Sequence, residues 1–192
     1  MIEIYNIFFQ LVIFLSIFSF PFNSKLLKII NFDNFTVYEI FLINFIIFST
    51  LCLLFSITNL NYKFLFYVFL IFGFFNFIIE LVKNKKNFLN FFFLLFIILN
   101  LLIYFEVASL LTLQWHGLAT WSMKMNNFYF GQSYENLSNI TYPHQPHIGP
   151  YIWAVFYDNS VLKYEYFGRF FYVFVFLTSV FTLKSNFKEN IN

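Results

Sequence analysis

Histidine is the side chain whose proton comes and goes near neutral pH. This chain places all three of its histidines, His116, His144 and His147, in one stretch. The stretch, Trp115 to Tyr157, also holds all three tryptophans, three of the four prolines and three of the five glycines. An imidazole there can accept a proton from a hydroxyl or ligate a metal. Three of them suffice for a zinc site with an open position, although His144 and His147, spaced i, i+3 among prolines, match no zinc signature. Lys124 and Arg169 can hold an anion, the first as a point charge and the second as a fork. Each is equally an ordinary interfacial anchor. Glu106 sits late in an apolar run, where a carboxylate is a candidate site by default. Glu135 and Asp158 are further acids. Trp121, Tyr142, Tyr151 and Trp153 offer flat faces to a ligand, or to the membrane interface where such rings concentrate.

What must position these residues is almost unbroken Phe, Ile and Leu. The 192 residues are 60% hydrophobic and only 10% charged, against about 25% charged in soluble domains. The composition implies an all-α, polytopic membrane protein. A net charge of +2 gives no reason to expect nucleic acid. The single cysteine, Cys52, lies in an apolar run and reads as a buried, inert thiol. Runs of about 20 apolar residues are needed to cross the bilayer, and five are predicted: Ile4–Phe22, Thr36–Ile57, Tyr62–Val82, Phe88–Leu113 and Tyr166–Leu183. The expected organisation is thus four transmembrane helices over 1–113, an extracytoplasmic loop with amphipathic helices over 114–165, and a fifth span with a polar tail over 166–192. Met1 to Phe22 lacks the basic start and small-residue cleavage site of a signal peptide, so it is expected to be retained.

With five spans, Lys25, Lys28, Lys83, Lys85, Lys86, Lys184 and Lys188 fall on one side, and Lys63, Lys124, Lys163 and Arg169 on the other. Basic residues favour the cytoplasm. The N-terminus and the long loop are therefore expected outside, which in a bacterial inner membrane means the periplasm, with the C-terminus cytoplasmic. No ladder of charges and no inverted repeat points to a coupled transporter.

Within the loop, Leu118, Trp121, Met125 and Phe128 recur at helical spacing. They predict an amphipathic helix over Trp115–Phe130 lying on the outer leaflet, with Lys124 toward phosphate head groups and Gly131 closing it. Pro143, Pro146 and Pro150 forbid regular structure until Pro150, which can open a helix over Tyr151–Phe156.

The run Trp115-His116-Gly117-Leu118-Ala119-Thr120-Trp121-Ser122-Met123-Lys124 looks like the W-D-x-x-x-x-W-x-x-K loop helix of membrane glycosyltransferases of the GT-C superfamily, relatives of the dolichyl-phosphate-mannose-protein mannosyltransferases. The run from Tyr142 to Ala154, YPHQPHIGPYIWA, is similar to a proline- and histidine-containing segment of bacterial members. Glu165-Tyr166-Phe167-Gly168-Arg169 resembles the opening of their next span. The similarity covers about Glu106 to Leu183. It implies transfer of a sugar from a polyprenyl phosphate to an acceptor at the outer face, with inversion at the anomeric carbon.

On that resemblance, His116 stands where the family carries its catalytic acid. It becomes the expected catalytic base, with Glu106 as an alternative acid. Lys124 and Arg169 become phosphate contacts, and Trp121, His144, His147 and Tyr151 substrate contacts. A divalent cation, Mg²⁺ or Mn²⁺, is compatible with the donor phosphate, and no dedicated metal-ligand set is assigned. Family members are longer, so the chain is expected to be an N-terminal part or a truncated member, with a second half or partner subunit beside the lipid. The competing expectation is an inactive accessory or paralogous protein that keeps a lipid-sugar groove. A metal-binding membrane protein built on the three histidines is a third.

Overall fold

A computed structural model describes residues 4–19, 35–58, 60–109, 117–130, 144, 148–160 and 165–189. Every regular element among them is helical. The helices are α1 (Ile4–Ile17), α2 (Val37–Ile57), α3 (Tyr62–Lys83), the short α4 (Lys85–Phe88), α5 (Phe91–Ser109), a π-helical segment (Gly117–Ser122) running into α6 (Met123–Tyr129), α7 (Ile148–Asp158) and α8 (Glu165–Glu189). Four of these contain stretches long and apolar enough to cross a membrane: Val37–Ile57, Tyr62–Lys83, Phe91–Ser109 and Tyr166–Lys184. The chain is an all-α, polytopic membrane protein.

The helix starts follow local chemistry. Thr36 caps α2: its Oγ1 accepts from the Glu39 N–H at 3.3 Å, while Glu39 Oε2 accepts from the Thr36 N–H at 2.8 Å. This reciprocal box satisfies two amides that the helix leaves without partners, so Glu39, at the edge of an apolar run, closes a helix end. Asn61 caps α3 through Oδ1, which accepts from the Lys63 N–H at 2.9 Å.

Ring contacts fix how the helices run. Tyr38, at the start of α2, meets Phe181 near the end of α8 at 5.2 Å, and Phe45 meets Phe171 at 6.5 Å. The two helices are therefore antiparallel. On α5, Tyr104 stacks on Phe170 at 4.2 Å, and Phe96 meets Phe181 at 5.5 Å, again antiparallel. One end of the bundle thus gathers Lys83, Lys85 and Lys184; the Lys184 Nζ lies 3.7 Å from the centre of the Phe92 ring. The other end carries the α2–α3 turn, the end of α5, and α6 and α7. The separation of lysines expected from the sequence holds for these residues. Lys25 and Lys28 lie outside the described residues.

Helices in lipid gain nothing from removing apolar surface from water, so association rests on close packing. Here interlocked phenylalanines supply it. Phe174 of α8 is the hub, with ring centres 5.6 Å from Phe14, 5.2 Å from Phe18, 5.7 Å from Phe41 and 5.5 Å from Phe96. Other aromatics, including Phe64, Phe72 and Phe75 of α3, face outward, where lipid tails cover them at no cost.

The first predicted span, Ile4–Phe22, differs in form. The described helix stops at Ile17 with a turn at Phe18 and Ser19. Its 14 residues rise about 21 Å, less than the ~30 Å of hydrocarbon. The Phe18 carbonyl is met by the Asn44 side-chain N–H at 2.7 Å, eight residues into α2, so α1 ends inside the bundle. The buried end is made tolerable by side chains. Ser16 and Ser19 donate to the carbonyls of Val12 and Leu15 at 2.7 and 2.5 Å, and Asn44 takes the next one. Without Ser19 and Asn44 the Leu15 and Phe18 carbonyls would be stranded in an apolar interior.

Candidate functional site

The loop end is built by α6 and α7. The sequence predicts one surface helix over 115–130, with Trp121, Met125 and Phe128 on a common face. The structure instead has a π-helical turn through Trp121 before α6 begins at Met123. The wider π turn changes the angular step between side chains. Met125 and Phe128 point inward as expected, Trp121 turns outward at 36% exposure, and Lys124 turns inward at 0% exposure. The expected contact of Lys124 with lipid head groups is replaced by enclosure in protein. Its Nζ lies 5.6 Å from the Trp121 ring centre, within cation–π range. Burial holds its amine below the ordinary value of 10.5, because an ammonium taken out of water loses its hydration.

The helix opened near Pro150 is present but longer and deeper than predicted. It starts at Ile148, and every residue from Pro150 to Phe156 is buried. It packs against α2, α3, α6 and α8. Phe156 meets Phe14 at 4.8 Å, Phe48 at 5.8 Å and Phe66 at 5.9 Å. A helix buried all round belongs to the core, so α7 dips into the bundle and does not cap it. Close approach to α8 is possible because residue 168 is glycine: a Cβ there would collide with the Trp153 indole and stand 2.8 Å from the Trp153 carbonyl oxygen. Arg169, next along α8, is half-buried. The other side of α7 meets α6 through Tyr151 and Phe128 at 5.2 Å, and through Tyr157 and Tyr129 at 5.0 Å. Tyr151 is buried, which pushes its phenol well above the ordinary range.

Asp158, the last residue of α7, takes a role the sequence only half reveals. Its Oδ2 accepts from the Tyr62 hydroxyl at 2.8 Å and pairs with Lys63 Nζ at 3.1 Å. The carboxylate side chain is 10% exposed. A carboxylate at a helix C-terminus opposes the helix dipole, so an acid there needs partners from elsewhere. That is the sequence signal that points to the pair. Lys63 reads in the sequence only as a charge for topology, and Tyr62, Tyr129 and Tyr157 carry no signal at all.

The chain matches no family model, no curated protein and no solved structure. The site therefore stands on its own residues. Lys124 and Trp121 stand together, and Tyr151 meets Phe128, one helical turn after Lys124. His144 is exposed in a turn. Glu106 is exposed on the face of α5 that also carries Leu102 and Phe105, so it points out of the bundle. His116, His147 and Glu135 lie outside the described residues. Among the described residues no group of three His, Cys, Asp or Glu side chains can hold a metal ion.

Proposed function

We propose that this chain is a GT-C-like membrane glycosyltransferase, or part of one, that handles a polyprenyl-phosphate sugar at the extracytoplasmic face. The observation that carries this reading is Lys124. The lysine of the W-x-x-x-x-x-W-x-x-K run is enclosed in protein against an aromatic ring, in a position where a simple interfacial anchor would reach water. Lysine is a common point-charge contact for phosphate. A lipid phosphate entering beside α6 would be held by its ammonium. On the motif resemblance, Arg169 would support the same phosphate, and Trp121, Tyr151, His144 and His147 would contact the sugar.

The reaction is displacement at the anomeric carbon. The acceptor oxygen forms the new bond to that carbon, and the bond to the phosphate oxygen breaks with its electron pair leaving on the phosphate. The acceptor proton passes to a base, His116 on the motif resemblance; Glu106, which points out of the bundle, does not fill that role. Basic residues gathered at the opposite end of the bundle support an outward-facing loop and, in a bacterium, an inner-membrane location. A divalent cation, Mg²⁺ or Mn²⁺, would add charge at the leaving phosphate.

The test is transfer from a labelled polyprenyl-phosphate sugar by the protein in lipid nanodiscs. Lys124→Ala is expected to weaken donor binding, and His116→Ala to abolish turnover while leaving binding. Donor binding unaffected by Lys124→Ala would refute the reading. Binding without any turnover would identify the accessory, inactive form of the same site.

A further inference from the structure

The end of the bundle away from the loop carries positive charge that the chain itself leaves unanswered. Lys83 ends α3, Lys85 opens α4 and Lys184 lies late in α8, and all three are exposed. Among the described residues none of the three joins an ion pair, whereas Lys63 at the loop end pairs with Asp158. The described carboxylates at the lysine end, Glu39 and Glu80, are taken up by uncharged donors. Glu39 Oε2 accepts from the Thr36 N–H and hydroxyl at 2.8 and 3.0 Å, and Glu80 Oε2 accepts from the Asn84 side-chain N–H at 2.5 Å.

We propose that these lysines form a docking surface for the headgroups of anionic phospholipids in the leaflet at that end. Two features select a lipid over a soluble anion. The first is depth: the spans Tyr62–Lys83 and Tyr166–Lys184 end on two of the lysines, which puts their ammonium groups at headgroup level. The second is the company they keep. Val82 precedes Lys83, Leu183 precedes Lys184, and Leu89 and Phe91 follow α4, all four exposed. A phospholipid meets both parts, with its acyl chains on the apolar side chains and its phosphate on the ammonium groups. A soluble anion would use only the lysines.

Lys184 is the best placed of the three. Its Nζ lies 3.7 Å from the Phe92 ring centre, within cation–π range. The ring restrains a long side chain that would otherwise lose rotamer freedom on meeting a phosphate. An ammonium has three donors, so contact with one ring face leaves others for phosphate oxygens. Phe88 of α4 packs on Phe93 of α5 at 5.1 Å, which ties the turn carrying Lys83 and Lys85 to the start of α5, where Phe92 lies. Lipid docking here is independent of sugar transfer.

The experiment is native mass spectrometry of the full chain in detergent micelles, titrated with dioleoylphosphatidylglycerol or dioleoylphosphatidylcholine. The wild type is expected to bind the anionic lipid more tightly than the zwitterionic one. A lysine near an anionic lipid surface contributes about 5-fold in affinity. Lys184→Gln should therefore weaken phosphatidylglycerol binding by about that factor, and Lys83→Gln, Lys85→Gln and Lys184→Gln together should reduce it to the level of phosphatidylcholine. Phe92→Leu, which keeps every charge, should weaken it by a smaller factor. Lys63→Gln, at the opposite end, should leave it unchanged. The three lysines are exposed, so their variants are expected to fold, and thermal unfolding checks this. Equal binding of the two lipids, a triple variant that keeps the preference, or an equal loss from Lys63→Gln and Lys184→Gln overturns the proposal. So does displacement of the lipid by glycerol 3-phosphate, the soluble headgroup, which would leave the apolar side chains no part in binding.

Discussion

Replacing Tyr62 by phenylalanine removes one hydroxyl and little else, and its cost follows from what that hydroxyl meets. The phenol donates at 2.8 Å to a carboxylate that is 10% exposed, while Lys63, the other partner of the same oxygen, is 50% exposed. A hydrogen bond to a charged, largely buried acceptor is worth about 1.5–3 kcal/mol net. An ion pair with a half-exposed lysine is worth about 0.2–1 kcal/mol and weakens with salt. Double-mutant cycles separate the two, using Tyr62→Phe with Asp158→Ala and Lys63→Met with Asp158→Ala, read by reversible unfolding in mixed micelles. The Tyr62 coupling should be at least twice the Lys63 coupling and should persist at high salt. Because both partners share one oxygen, the two couplings need not add. A Lys63 coupling equal to or larger than that of Tyr62 would show that the ion pair, and not the phenol, joins α3 to α7, and the reasoning from burial would be wrong.

Three further outcomes follow from the packing and charges. Gly168→Ala should destabilise the α7–α8 contact by about 1–3 kcal/mol, since the new methyl meets both the Trp153 ring and its carbonyl; a thermal melt unchanged from wild type would contradict the contact. Asn44→Ala should cost about 0.6–1.7 kcal/mol by leaving the buried Phe18 carbonyl without its donor, and Asn44→Gln should not restore it, because a longer side chain cannot sit in the same space. Burial keeps the folded Lys124 below 10.5, so the unfolded chain binds a proton that the folded chain lacks between the folded value and 10.5. Stability should therefore rise with pH across that interval, and Lys124→Met should flatten the rise; a slope of the opposite sign would contradict the lowered value.

The spans were legible in the sequence because lipid imposes a simple rule of length and apolarity. Val37–Ile57, Tyr62–Lys83, Phe91–Ser109 and Tyr166–Lys184 fall within a few residues of the predicted runs. The two loop helices were legible too, from the helical spacing around Met125 and from Pro150. What the sequence hid was depth. An apolar segment such as YIWAVF looks the same on a surface and in a core, and only packing with Phe14, Phe48 and Phe66 decides. The inward turn of Lys124 was hidden because a π turn breaks the regular spacing on which face assignment relies. The early end of α1 was hidden because Asn44, the residue that makes it tolerable, lies on another helix. The Asp158 contact needs Tyr62 and Lys63, which lie far from it along the chain and are ordinary in composition.

Helices α6 and α7 pack inward and Lys124 is buried at the end of the bundle opposite Lys83, Lys85 and Lys184. A membrane-impermeant, amine-reactive reagent applied from outside to the protein in sealed membranes, with modification read by mass spectrometry, tests this directly. Lys63, half-exposed at the loop end, is expected to be labelled, Lys124 at the same end to be protected until the protein is unfolded, and Lys83, Lys85 and Lys184 to be labelled only once the membrane is opened. Labelling of Lys124 as fast as Lys63, or labelling of Lys184 before the membrane is opened, would contradict it.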